Sequence, residues 1–329
     1  MTASPSQSQS QFAKLTRFLS SQGALIALIF LVIFGALRYN GFFAPYNIQT
    51  FLSNNSMVAL VALGMTLVII TGGVDLSVGS VVALASVVAA RLSPFGLWTA
   101  LLGGILVGTL VGLFNGLVIA RLKIPFFITT LATLLAASGL ALIVADNQTV
   151  GVSYETNFVE LGQGYLGPVP IPVIIMLVAY IFGMVLLGHT QFGRRVLAIG
   201  GNEEASRLMG LKVDRILTLV YTLSGALAGL AGVILAAQYG AGQPLEGQGW
   251  ELSAIAAVVV GGTLLTGGKG TVSGTLVGAL LLGLIFNLLI FENGRGVISL
   301  SAYWQSVIRG GFLLVVILVQ NRLAHRRSP

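Results

Sequence analysis

The sequence contains no cysteine and only two histidines, His189 and His325. The first absence excludes disulfides, thiolate metal sites and cysteine nucleophiles, while leaving the redox compartment open. The histidines stand alone, one at the edge of an apolar run and one in a basic tail, so no histidine-based metal site or catalytic triad is expected. Charge is scarce as well. Asp, Glu, Lys and Arg make up 8% of the chain, against about 25% in soluble domains, which excludes an ordinary water-soluble enzyme. Neither HExxH nor GxSxG occurs, and no cluster of carboxylates falls within an apolar run. Lys269 lies in a glycine-rich stretch, but Thr263 stands where a phosphate-binding loop needs glycine and Gly270 follows the lysine in place of Ser or Thr. No cofactor, and no catalytic or metal-binding residue, is therefore expected.

What the chain does have is apolar length. Of 329 residues, 56% are hydrophobic, and 43 glycines and 9 prolines are spread through the apolar segments instead of collecting in linkers. That pattern is typical of packed membrane helices. The formal charge of +7 sits between these runs, so membrane lipid is the expected partner and nucleic acid is not. Residues 1–22 read as a disordered polar tail, 23–320 as a transmembrane domain and 321–329 as a basic tail. The run at 23–37 resembles a signal-peptide core with Lys14 and Arg17 before it, but no small-x-small site follows, and it reads as an uncleaved first span. Further runs fall at 55–71, 74–91, 96–120, 124–144, 171–188, 216–238, 251–266, 271–291 and 299–320. A bilayer takes about 17–25 residues per helix, so the fold class is all-α: a polytopic transmembrane helical bundle of about ten spans, some short or broken.

With the amino end inside, that topology leaves all but Arg38, Arg91, Arg295 and Arg309 of the 17 Lys and Arg in the cytoplasm, as the positive-inside rule requires. Both termini come out cytoplasmic. The long connection 145–170 then lies outside, where it reads as either a folded docking surface or a solvated connector, and 189–215 lies inside.

Three groups of residues stand out. The segment TGGVDLSVGS places Gly72, Gly73, Asp75, Ser77 and Gly79 between apolar runs. A carboxylate at the centre of a lipid-facing helix costs about 2.5–3.5 kcal/mol, so Asp75 must meet protein, water or free amides. The glycines can break a helix, and Asp75 and Ser77 can then cap the next one; a pathway residue or gate is the other reading. A second segment, TGGKGTVSGTLV, aligns Gly267, Gly268 and Gly274 with Gly72, Gly73 and Gly79, which suits a duplicated architecture. Gly104, Gly108, Gly112 and Gly116, Gly225 with Gly229, and Gly274 with Gly278 recur every four residues and so share helix faces, the spacing of close helix packing. Asn115, Thr129, Thr130, Thr133, Asn287 and Gln305 suit interhelical hydrogen bonds, whereas Arg309 needs a partner of its own.

The hydrophilic stretch GRRVLAIGGNEEASRLMGLKVDR predicts a short cytoplasmic helix. Asn202 caps it, Glu203 and Glu204 favour its positive start, and Gly210 ends it in a left-handed turn. Ala205, Leu208 and Met209 would then need a cover, either another protein or the chain's own helix ends.

Together TGGVDLSVGSVVAL, KIPFFITTLATLLAASG, FGRRVLAIGGNEEASRLMGL and VVVGGTLLTGGKGTVSGTLVGALLLG resemble, in the same order over about residues 20–320, the ribose-type permeases of bacterial ATP-binding-cassette importers. The resemblance implies a multi-pass inner-membrane subunit, without ATPase activity of its own, that carries a monosaccharide such as ribose, xylose or galactofuranose by alternating access. The implied partners are cytoplasmic ATPase subunits, an extracytoplasmic or periplasmic sugar-binding protein, and a second permease copy or a paralogue. The family's ATPase-coupling segment maps onto Ala198, Gly200, Gly201, Asn202, Ala205 and Gly210, and its GG-x-DLSVG motif, which would shape the pore or its gate, onto Gly72–Gly79. Two other classes, an ion-coupled secondary carrier and a membrane enzyme acting on lipid-linked sugar, would need intramembrane carboxylates or an acid–base constellation.

Overall fold

The structure, a computed structural model, describes residues 23–294 and, beyond them, helical positions at 304, 307, 310, 311 and 314. The tail at 1–22, the span expected at 299–320 with Gln305 and Arg309, and the basic tail at 321–329 lie, apart from those positions, outside the described residues. Within them the chain is nearly all helix: α1 (Gly23–Arg38), α2 (Pro45–Ile70), α3 (Val78–Leu92), α4 (Leu97–Leu122), α5 (Phe126–Val144), α6 (Glu160–Gln163), α7 (Ile171–His189), α8 (Gln191–Gly201), α9 (Glu203–Leu208), α10 (Val213–Tyr239), α11 (Trp250–Val260) and α12 (Val272–Gly294).

Among the described residues, 7 helices are long and apolar enough to cross a membrane: α2, α3 with its 3-10 extension to Phe95, α4, α5, α7, α10 and α12. The apolar helices α1 and α11 are shorter. Two expected boundaries move for physical reasons. Helix α2 starts at Pro45 and not near 55, because proline is accommodated in the first turn, where its missing N–H costs nothing. Helix α11 stops at Val260 instead of running to 266: Gly262 turns left-handed at φ 92°, and the chain leaves the helix there.

The core is α2. Every residue from Ala59 to Ile70 is buried, with α7, α10, α11 and α12 packed around it. Helix α10 in turn packs against α2, α3 and, most extensively, α4. The α4–α10 seam is the expected glycine face. Gly108 and Gly112 abut the backbone of Gly225, and a Cβ at Gly116 would lie 2.7 Å from the Cα of Thr218. Apolar side chains such as Leu102, Leu110, Phe114, Phe127, Ile181 and Phe182 point outward from α4, α5 and α7, the arrangement a lipid solvent favours.

The 145–170 connection is folded, not merely solvated. Val150–Gly151 pairs antiparallel with Ala241–Gly242, Tyr165–Leu166 pairs with Val169–Pro170, and Phe158 is buried among Ala89, Ala100, Val233 and Ala237. Charged residues expected on one side of the membrane also meet one another. Arg38 pairs with Glu292 and Arg91 with Asp146 at one end, and Lys123 and Arg207 both pair with Asp214 at the other, which we term the basic end. Exposed pairs of this kind contribute about 0–1 kcal/mol each, so they mark sides more than they stabilise.

The glycine seam generates a stability prediction. Gly108→Ala and Gly225→Ala should each lower detergent-solubilised stability by about 1–3 kcal/mol through overpacking. Gly139→Ala, where nothing lies within 4 Å of an added Cβ, should leave the thermal unfolding midpoint unchanged or slightly raised.

Candidate functional site

Helix α2 ends at the basic end in a Schellman turn: Gly72 takes φ 82°, its N–H donates to the Ile69 carbonyl at 2.9 Å, and the Gly73 N–H donates to that of Val68 at 3.2 Å. Helix α11 ends the same way, Gly262 N–H donating to Val259 O at 3.0 Å and Thr263 N–H to Val258 O at 3.2 Å. The two helix ends are therefore equivalent as Thr71–Gly73 and Gly261–Thr263. The motif match that pairs Gly72 with Gly267 instead sets a helix end against a loop. Helix α9 repeats the device: Gly210, at φ 82°, donates to Arg207 O at 2.9 Å, and Leu211 N–H donates to Ser206 O at 3.0 Å. Such turns satisfy the last carbonyls of a helix, and only glycine takes the left-handed position without strain.

At the α2 terminus three glycine segments far apart in sequence converge. The Ile70 carbonyl accepts the Gly268 N–H at 2.9 Å. Gly200, near the end of α8, presses on that same carbonyl, and a Cβ there would lie 2.6 Å from the Gly268 nitrogen. A Cβ at Gly267 would meet the Gly72 nitrogen at 2.9 Å and the Gly200 oxygen at 3.0 Å, and one at Gly268 would meet the Gly201 Cα at 3.0 Å. Gly72, Gly200, Gly201, Gly267 and Gly268 thus form one backbone-to-backbone junction. Gly274 lies apart from it, on α12, against the Gly261 carbonyl, and Gly79 at the head of α3 faces Gly247 and Glu251.

Between α2 and α3 lies a buried polar knot. Asp75 is 1% exposed. Its Oδ1 accepts the Ser77 N–H at 3.1 Å and the Ser77 hydroxyl at 2.6 Å, and its Oδ2 accepts the Ser224 hydroxyl at 3.0 Å. Asn115 of α4 donates to Ser77 Oγ at 3.0 Å. Ser77 occupies the N-cap of α3 without capping it through its side chain; the hydroxyl goes to Asp75 instead, which corrects the expected cap. The Tyr221 hydroxyl, pressed against Gly73, and Asn115 Oδ1 are buried without hydrogen-bond partners. Sequence reasoning named Asn115 as a packing residue but missed Ser224 and Tyr221, uncharged hydroxyls in a long apolar helix. Ser224 stands about 16 Å along α10 from Val213, at 1.5 Å per residue, so the knot lies at membrane depth.

The short helices α8 and α9 project from the basic end. Asn202 closes α8 and caps α9, accepting the Ala205 N–H on Oδ1 at 2.8 Å. Ala205 is half-buried, whereas Leu208 and Met209 are 85% and 71% exposed. Ala198 lines a shallow cleft with Gln191, Arg194, Arg195 and Leu211. Helix α9 is tied back to α10 through Arg207, whose guanidinium reaches both Glu203 at 2.8 Å and Asp214 at 2.7 Å. These carboxylates, Asp214 foremost, hold Arg207 above its ordinary pKa. Among the described residues no group of His, Asp and Glu could hold a metal ion. What the assembled groups can do is fix helix ends against one another.

At the opposite end, a cavity of about 550 Å³ opens between α2, α11 and α12, lined by Asn47, Asn54, Asn55, Gln248, Trp250 and Asn287 among others. Only Asn287 of these was singled out from sequence, and as a packing residue.

A family model described as branched-chain amino acid transport system/permease component matches residues 47–317. The ribose import permease protein of Haemophilus influenzae is 38% identical over 319 residues, 95% of this chain and 97% of that protein. That of Bacillus subtilis is 39% identical over 303 residues, 91% and 92% of the two chains. The L-arabinose ABC transporter permease protein of Azospirillum brasilense is 39% identical over 308 residues, 92% and 89% of the two chains.

The polar knot separates two substitutions. Asp75→Leu strands the donors on Ser77 and Ser224 and should cost about 1–3 kcal/mol per stranded group, lowering both the amount of folded protein in membranes and its unfolding midpoint in detergent. Asp75→Asn keeps an acceptor for Ser77 and should retain more of each; equal behaviour of the two variants would remove the knot from the account.

Proposed function

The chain belongs to the branched-chain amino acid transport system/permease component family, and from that membership we propose that it is the membrane permease subunit of an ATP-binding-cassette importer for a monosaccharide. It is a multi-pass protein of the bacterial inner membrane. The observation that carries the reading is that the likeness to sugar-import permeases runs nearly end to end in both partners. The basic end is cytoplasmic on this reading, and the folded 145–170 connection faces outward, where an extracytoplasmic sugar-binding protein delivers its cargo. A second permease, identical or paralogous, completes the pathway.

Energy comes from ATPase subunits docked on α8 and α9. Three features support that placement. Leu208 and Met209 are large, apolar and uncovered; a cleft lined by Arg194, Arg195 and Leu211 lies on the same segment; and Gly200 joins α8 to the end of α2 through backbone contact. Ala198, Asn202, Ala205 and Gly210 fix the shape of the docking element. ATPase closure displaces α8 and α9, and α2 follows because Gly200 bears on the Ile70 carbonyl. The Gly72–Gly79 segment is then the flexible link at which α2 and α3 change relative angle, with the Asp75 knot holding α3 to α4 and α10. Alternating access is a shift between two such packings.

Leu208→Asp and Ala205→Arg should leave membrane insertion intact while weakening copurification of the ATPase subunits about ten-fold each, the scale of a single hot-spot residue, and should abolish uptake. The purified chain alone, given a proton or sodium gradient, should neither accumulate monosaccharide nor hydrolyse nucleotide; uphill transport by the isolated chain would overturn the reading.

A further inference from the structure

Resting on the sugar-importer reading, we propose that the cavity between α2, α11 and α12 is an outer vestibule that binds the monosaccharide in passage, through the amides of Asn47, Asn54, Gln248 and Asn287 and the rings of Tyr46 and Trp250. Its volume of about 550 Å³ falls within the roughly 300–1,000 Å³ of small-molecule sites. Its walls have an unusual composition for the interior of an apolar protein. Polar side chains come from three separate elements: Asn47, Thr50, Asn54 and Asn55 from α2, Ser253 from α11 and Asn287 from α12, with Gln248 from the connection before α11. Amides at membrane depth are retained where they face protein or a polar cavity.

The hydrogen bonds already present leave donors and acceptors on these amides unused. Asn287 Nδ2 donates to Asn47 Oδ1 at 3.0 Å, Asn47 Nδ2 donates to the Phe42 carbonyl at 2.7 Å, and Gln238 Nε2 donates to Asn54 Oδ1 at 2.5 Å. Asn287 Oδ1 is buried with no partner. An amide offers two donors and two acceptor lone pairs, so each of these side chains can serve neighbouring hydroxyls that both give and accept. Tyr46 and Trp250 supply flat apolar faces for the C–H side of a sugar ring.

Charge decides between ligand classes. None of the described residues lining the cavity is Asp, Glu, Lys, Arg or His. A zwitterionic amino acid or a phosphorylated compound would leave its water shell without a counter-charge from these described residues, at a cost of several kcal/mol per ion. A neutral polyol exchanges water hydrogen bonds for amide ones. Binding there has to be weak, since a conduit must release what it admits.

The absence of cysteine makes the test direct. In the full transporter, reconstituted with its ATPase subunits and binding protein, Ser253→Cys and Thr50→Cys place single thiols on the cavity wall, and Leu102→Cys places one on the outward face of α4. Each is treated from outside with a charged, membrane-impermeant methanethiosulfonate, and uptake of radiolabelled D-ribose, L-arabinose, D-xylose and D-galactose is measured. Modification of Ser253→Cys should lower uptake about ten-fold, as expected of a charged group fixed in a conduction path. Sugar-loaded binding protein should slow that labelling, and Leu102→Cys should be indifferent. Should Ser253→Cys be inactive before labelling, Thr50→Cys decides. Complete labelling with unchanged uptake, a thiol that cannot be reached from outside, or an equal effect at Leu102→Cys would each overturn the vestibule. Failure of the unmodified wild-type complex to take up any of the four sugars would overturn the importer reading itself.

Discussion

The backbone contact at the end of α2 is the constraint from which the rest follows. The Ile70 carbonyl accepts the Gly268 N–H while Gly200 rests against it, so three segments meet with no side chain between them. Side chains cushion a displacement by changing rotamer, whereas backbone against backbone cannot. Packed interiors are poorly compressible, and a junction made only of peptide groups is the stiffest case. Each glycine is there for space as much as for conformation: a single Cβ at Gly200 would separate α8 from the carbonyl it bears on. The Schellman turns serve the same end by placing the terminal carbonyls of α2 and α11 under fixed hydrogen bonds.

That junction was legible in the sequence only as separate pieces. The Asn202 cap and the left-handed Gly210 could be read from local chemistry, because a cap is a contact among neighbours in sequence. The four-residue glycine spacing on α4 and α10 could be read for a similar reason: helix geometry alone puts Gly104, Gly108, Gly112 and Gly116 on one face. What brings Gly72, Gly200 and Gly268 together is tertiary packing across nearly two hundred residues, and no local rule encodes it. The repeat between the glycine motifs misled in an instructive way. Matching letters set Gly72 against Gly267, whereas the hydrogen-bond pattern makes Gly262 the equivalent of Gly72, because a helix end is defined by its donors and acceptors.

Hydropathy hid the remaining features. Averaging over a helix length favoured a start for α2 near residue 55, since Asn47, Gln49, Asn54 and Asn55 lower the local mean. Those amides belong to the helix, and Asn47, Asn54 and Asn55 line the cavity. The same averaging passed over Ser224, one of several hydroxyls in an apolar helix, although it holds a carboxylate buried in the membrane region. Asp75 was conspicuous from sequence because its charge is costly there. Its partner Ser224 was not, because a serine costs little until a structure shows what it satisfies.

Placed together, the junction, the knot and the cavity lie along continuous rigid elements. Helix α2 carries the Ile70 carbonyl at one end and Asn47 and Asn54 at the other; its 26 residues extend about 39 Å at 1.5 Å per residue. On the proposed function, a motor docked on α8 and α9 would reach the cavity through a single rod, without a chain of side-chain rearrangements. A second route runs from α9 through Arg207 and Asp214 into α10, and from Ser224 to Asp75 at the head of α3. The two routes end on helices joined by the Gly72–Ser77 segment, the one place where α2 and α3 are linked by non-helical chain. On the proposed function, motion delivered unequally along them would be taken up there, where a helix break and a buried carboxylate occupy the same few residues: the glycines would allow the angle to change, and Asp75 would limit it to arrangements in which its three hydrogen bonds survive.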